Sequence, residues 1–212
     1  MPQLGIPSLP RRLTLRSRRS VERILDAAAR KFGHEGYDGA SMTTVARAAG
    51  VSKGLLHYHF QNKEALLLEA QRAVLHTLWQ GFTRRTERQG LEAAGRTLDQ
   101  IWRALVSMRR TAPFMVETIG LAVRGTAVRQ DVDLFYTEGM ALLEEGIGEV
   151  FSEDLDRLRW PPDRLANVIR VFLHGSVIEL AYASTDEDFE RLEQTWRDCR
   201  EAFLAMVLVE AP

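Results

Sequence analysis

Between Ser41 and Lys63 the chain reads SMTTVARAAGVSKGLLHYHFQNK, and that run leaves few folds open. Ser41 stands where an N-cap belongs, and Val45, Ala46 and Ala49 follow at helical spacing on one face. Gly50 supplies the permissive backbone that a helix end needs. Val51 plugs the corner. Ser52 is a second N-cap, opening a helix whose buried edge is Leu56 and Phe60, and Asn62 caps a longer third helix. Two short helices across a glycine-containing turn of about 3–4 residues make a helix-turn-helix, whose second helix lies in the major groove of DNA.

With Leu56 and Phe60 inward, the second helix turns Lys53, Gly54, Leu55, His57, Tyr58 and His59 outward. Such groups reach phosphates, stack on sugars, or exchange hydrogen bonds with base edges. Gly54 lets backbone approach backbone. Lys63 falls in the first turn of the next helix, where the dipole's positive end adds to its own charge. Helix stability favours an acid at that position; a phosphate favours a lysine.

The run AxxAGVSKGLLHYHFQNKEAL, with SMTTVA and an amphipathic helix before it, resembles the DNA-binding domain of the TetR family of transcriptional repressors. The resemblance covers Arg18 to Leu68, about a quarter of the chain. It implies a dimeric, all-helical, ligand-released repressor. It also places Thr43, Lys53, Gly54, His57, Tyr58, His59 and Lys63 where such proteins contact DNA. Leu55 stands where the family usually has a phosphate-binding Ser or Thr, and His57 where it usually has Tyr. Both departures bear on which operator is read, not on the fold.

Charge is distributed to match. The formal net charge is −1, yet residues 1–63 hold 11 Lys and Arg against four acids, so the N-terminal third carries +7 and the remainder −8. A basic head on an acidic body is the footprint of a DNA-binding module carried by something else. The single Cys199 permits no internal disulfide and no cysteine-based zinc site, which suits a reducing cytoplasm. The longest apolar run, Ala202 to Val209, is eight residues, short of the ~18 of a membrane span. The first residues lack the apolar stretch of a signal peptide. Cytoplasmic location and no membrane partner are the expectations.

Taken in order, residues 1–17 hold three prolines and no helical period, and read as a flexible basic arm that could lie along a minor groove. Residues 18–63 form the DNA-binding domain, opened by a helix with Val21, Ile24, Leu25, Ala28 and Phe32 on one stripe. Gly33 and Gly36 are expected to end that helix, and Tyr37 to pack back beside the head. Residues 64–212 form an effector-binding and dimerisation domain. Helical periods place elements at Lys63 to Phe82, Leu91 to Met108, from Pro113, and Asp131 to Phe151. Two long helices, 162–184 and 186–209, end the chain. Trp160-Pro161-Pro162 stops one element and starts the next, and Thr185 with Asp188 forms a capping box. The total is an all-α chain of about nine helices. The resemblance implies a homodimer through the last two, where Gly175 and Ser176 would permit close approach.

No enzyme chemistry is visible. His57 and His59, at i and i+2, lie about 200° apart around a helix and cannot share a metal ion. His34, His76 and His174 form no ligand spacing, and no nucleophile motif, phosphate loop or dinucleotide glycine pattern occurs. No cofactor and no metal are expected. A small apolar effector is, in a pocket drawn from Trp79, Phe82, Trp102, Met108, Phe114, Met115, Glu117, His174 and Glu179. A carboxylate on an otherwise apolar face must be exposed, paired, or facing a cavity. If Glu117 or Glu179 faces one, a lipophilic ligand with a positive or donor group suits it. On DNA, Ser41, Ser52 and Lys63 would set register on phosphates, while Thr43, Lys53, His57 and Tyr58 read bases or sugars. The competing reading is a helical ligand-binding or scaffold protein that binds no DNA.

Overall fold

The computed structural model describes residues 15–82, 89–125 and 128–209, and of 15–16 and 75–82 the backbone alone. Among the described residues there are nine α-helices and no β-sheet. They are α1 (Leu15–Gly39), α2 (Met42–Ala48), α3 (Lys53–His59), α4 (Lys63–Phe82), α5 (Gly90–Ser107), α6 (Ala112–Val123), α7 (Val128–Val150), α8 (Pro162–Tyr182) and α9 (Asp186–Met206). The all-α reading holds. The chain divides into two compact units, one of Met1–Thr77 with Arg110–Asp133, the other of Leu78–Arg109 with Leu134–Pro212. The 1–17 arm falls almost wholly outside the described residues.

In the first unit α1 is the spine. Val21, Ile24, Ala28 and Phe32 are buried, as their spacing requires. The helix does not stop at Gly33, however. It runs on to Gly39, with one non-helical residue, Gly36, at φ 72° and ψ 166°. Gly33 is glycine for another reason: α6 crosses α1 there. A Cβ at Gly33 would lie 2.6 Å from the backbone nitrogen of Phe114. That crossing sets the Phe114 ring against the Phe32 ring at 6.2 Å, both fully buried. Burying Phe114 contributes on the order of 2–3 kcal/mol. The break at Gly36 is braced from α6, where Glu117 Oε1 accepts the Tyr37 backbone N–H at 3.0 Å. At the far side of this unit, Arg72 of α4 donates to Glu69 at 2.8 Å and to Asp131 at 3.1 Å, tying α4 to the start of α7.

The second unit is organised by a run of stacked rings. Trp102 of α5 lies 4.9 Å from Trp196 of α9, and Trp196 lies 4.8 Å from Phe172 of α8. Arg200 Nε meets Asp99 at 2.8 Å, holding α9 to α5. A separate apolar cluster of Ile147, Phe151, Leu165, Ala166, Ile169 and Val207 joins α7 to α8 and to the end of α9. The Thr185–Asp188 capping box is present, with both reciprocal bonds at 3.1 Å. Cys199 is half-buried and forms no disulfide.

One sequence expectation needs correction here. Among the described helices α8 is long and apolar enough to cross a membrane, with a mean hydropathy of 1.2 over its best window. A count of uninterrupted apolar residues misses this, because it stops at every polar side chain while an average does not. In this fold Leu165, Ala166, Ile169, Val177 and Leu180 of α8 are buried within their own unit.

Candidate nucleic-acid interface

Two caps fix the head locally. Ser41 Oγ accepts the Thr44 N–H at 3.1 Å, and Thr44 Oγ1 accepts the Ser41 N–H at 3.0 Å, closing a capping box on α2. Gly50 takes φ 64°, which the turn between the helices requires and which β-carbon-bearing residues resist. Ser52 Oγ then accepts the Leu55 N–H at 3.1 Å and opens α3. Leu56 at 0% exposure and Phe60 at 6% pin α3 from below. What remains outward is Ser52, Lys53, Gly54, His57 and Tyr58, the last 79% exposed, with Ser41 and Thr43 exposed beside them. An aromatic ring held that far into solvent costs apolar hydration, which a partner surface would relieve.

Three residues expected at this edge are placed otherwise, and the first, Leu55, is half-buried. His59 is half-buried, its ring 5.0 Å from Tyr58 and 6.3 Å from Phe60, and its Nε2 is buried without a hydrogen-bond partner. One turn beyond Leu56, it lies on the flank of the buried edge and serves packing. Lys63 was expected to offer its ammonium to phosphate. It turns inward instead, donating to the carbonyl oxygens of Tyr37 at 2.9 Å and Ala40 at 3.2 Å, over the Tyr37 ring at 4.4 Å. The carbonyls that end α1 are a nearby negative pole, and the lysine satisfies them. Arg47, by contrast, did not figure among the candidates and stands exposed at the last turn of α2, one turn from Thr43. Its signal was available: no acid lies three or four residues from it.

Burial of the imidazole holds His59 below its ordinary value; at His174 the same cause acts, with the Arg170 charge adding to it. An unfolded histidine takes up its proton near pH 6.5, and these two folded ones only at lower pH. Stability is therefore full above about pH 6.5 and falls as pH drops from there through the folded values. Urea titrations across this window should show the loss, and His59→Gln should flatten part of it. An unchanged slope in that variant would remove His59 as a contributor.

The residues proposed for an effector pocket are spread over both units. Trp79 and Phe82 lie outside the described side chains. Trp102 and Met108 are core of the second unit, and Phe114 is core of the first. Met115 is half-buried on α6. Glu117 needs no cavity, since the Tyr37 amide accounts for it. His174 lies against Tyr136 at 4.8 Å. Glu179 does face a groove of about 170 Å³, shared with Phe172, Gly175, Ser176, Leu192, Thr195 and Trp196. Among the described residues no group of three or more metal-ligating side chains comes together.

Residues 24–70, which hold the end of α1, the capped pair and the start of α4, match the profile of bacterial regulatory proteins of the tetR family. The chain carries a TetR-family head. Over 78 residues the chain is 38% identical to the HTH-type transcriptional regulator BetI of Agrobacterium fabrum, covering 37% of this chain and 33% of that protein. It is 32% identical over 85 residues to BetI of Burkholderia mallei, covering 40% and 38%. The aligned stretch thus spans little more than a third of these relatives. Whole-chain likeness is to solved structures. A TetR transcriptional regulator from Chloroflexus aurantiacus has a TM-score of 0.70 at 19% identity, over 93% of this chain and all of that one. A Saccharomonospora viridis protein solved in complex with choline has 0.70 at 20%, over 91% and 98%. At those identities the likeness is one of fold.

Proposed function

We propose that this chain is a homodimeric transcriptional regulator, acting as a repressor in the cytoplasm, that binds a pseudo-palindromic double-stranded DNA operator and leaves it when a small effector binds. It is read as neither an enzyme nor a holder of cofactors or metals. The observation that carries the proposal is α3 itself, capped by Ser52, anchored by Leu56 and Phe60, and presenting Lys53, His57 and Tyr58 to solvent. Ser41, Ser52 and the amide ends of α2 and α3 would set register on phosphates, joined by Arg47; Thr43, His57 and Tyr58 would read bases and sugars.

Dimerisation is supported by α8. Val168, Val171, Ile178 and Tyr182 are exposed along one stripe of it, and at Gly175 a side chain would meet nothing within 4 Å. A second copy covering that stripe would bury it together with the last helix, as in a four-helix bundle. The groove at Glu179 opens on the same stripe, so it is assigned to the dimer face rather than to the effector. Two heads on one dimer gain effective concentration for paired half-sites.

Selection of bound sites from random DNA tests this directly, and a palindrome is expected. His57→Ala should change which half-site is enriched while leaving overall affinity for selected DNA within about tenfold. Recovery of no enriched sequence by the full-length dimer at low salt would favour a helical ligand-binding or scaffold protein instead.

A further inference from the structure

The apolar seam between α7 and α8 ends in three polar side chains. Along α7, Tyr136, Met140, Leu143 and Ile147 follow one helical face; along α8, Leu165, Ile169 and Leu173 oppose the apolar members. At the end of the seam Tyr136 meets His174 with ring centroids 4.8 Å apart, and the Arg170 guanidinium lies 6.0 Å over the Tyr136 ring. All three side chains are half-buried. Arg170 forms no ion pair among the described residues, whereas Arg157, Arg191, Arg197 and Arg200 each do. The sequence explains why. From Leu165 to Ile178 α8 carries no acid, so Arg170 has no carboxylate one turn away on its own helix. Arg170 is also the one charged group that acts on the titration of both Tyr136 and His174.

We propose that Arg170, His174 and Tyr136 form an oxyanion site, taking the carboxylate or phosphate group of a small effector. A guanidinium offers two parallel N–H donors to a planar oxyanion, and a phenol and a neutral imidazole each add one more. A half-desolvated cation without a counter-charge is costly, and an entering anion removes that cost at the moment of binding. Met140, Leu143 and Leu173, next along the seam, are apolar neighbours for the body of such a ligand. The inference rests on the reading of the chain as an effector-responsive regulator and narrows its effector to an anion.

The test is thermal unfolding of the full-length protein titrated separately with hexanoate, inorganic phosphate, hexanol and choline. Hexanoate or phosphate should raise the midpoint saturably, the first arm indicating a carboxylate on an apolar chain and the second a phosphorylated ligand. Arg170→Gln should weaken that binding at least about tenfold, the loss expected for a charge-assisted pair. Tyr136→Phe, which keeps the ring, should weaken it several-fold and covers the case in which the arginine variant fails to fold. Hexanol or choline acting as strongly as the anions, no saturable anion response, or variants that respond like the parent protein would each overturn the site. Operator binding of the anion-free protein is read in the same samples. Its absence would overturn the regulatory reading, whereas a lost anion response beside intact operator binding would overturn only the oxyanion site.

Discussion

Gly33→Ala is expected to destabilise the protein, although alanine is the better helix former. Helix propensity alone assigns this substitution a gain of about 1 kcal/mol in a helix interior. The structure reverses the sign. The new Cβ would stand 2.6 Å from the Phe114 backbone nitrogen and 3.1 Å from its Cα. A backbone cannot swing aside as the tip of a side chain can, so α6 must move off α1. That movement loosens the Phe32–Phe114 contact and the Glu117–Tyr37 bond together. Overpacking of this kind costs about 1–3 kcal/mol. A lowered urea midpoint with unchanged slope would show it, and a raised midpoint would mean that α6 does not cross where it is placed.

The second large effect separates two kinds of cation in the head. Replacing Arg47 and Lys53 together with alanine should weaken operator binding about 10–100-fold near physiological salt and reduce the salt slope by about 2, one for each released phosphate contact. Affinity should fall across all sequences, selected or not. Lys63→Met should behave otherwise. It removes two charge-assisted hydrogen bonds that close the end of α1, costing about 2 kcal/mol of stability given partial exposure. The folded fraction should keep the parent salt slope. Filter or fluorescence binding at several salt concentrations distinguishes the outcomes; a reduced slope in Lys63→Met would return its ammonium to the phosphate rail.

The capped helix starts were legible because caps are local. Ser41 with Thr44, Ser52 with Leu55, Asn62 with Ala65 and Thr185 with Asp188 are all bonds across three residues, fixed by spacing before any tertiary contact forms. The core stripe Val21, Ile24, Ala28 and Phe32 was equally plain. Gly33 misled for a definite reason: a glycine that ends a helix and a glycine that lets another helix pass look alike in sequence. Glu117 was ambiguous in a similar way. An acid on an apolar face must be exposed, paired or facing a cavity, and spacing does not choose among these, because its partner, the amide of Tyr37, is 80 residues distant.

The sequence by itself determined that the chain is helical, where the capped helices begin, and that a capped pair presents Lys53, His57 and Tyr58. Only the tertiary structure decided that Lys63 closes α1, that α6 rides on Gly33, that His59 is packed, and that Arg170 meets Tyr136 and His174. The physical division is one of range. Caps and stripes depend on energies within a turn or two, which spacing encodes. The partner of a long side chain depends on how helices far apart in sequence cross, and a crossing is set by the summed packing of many residues at once.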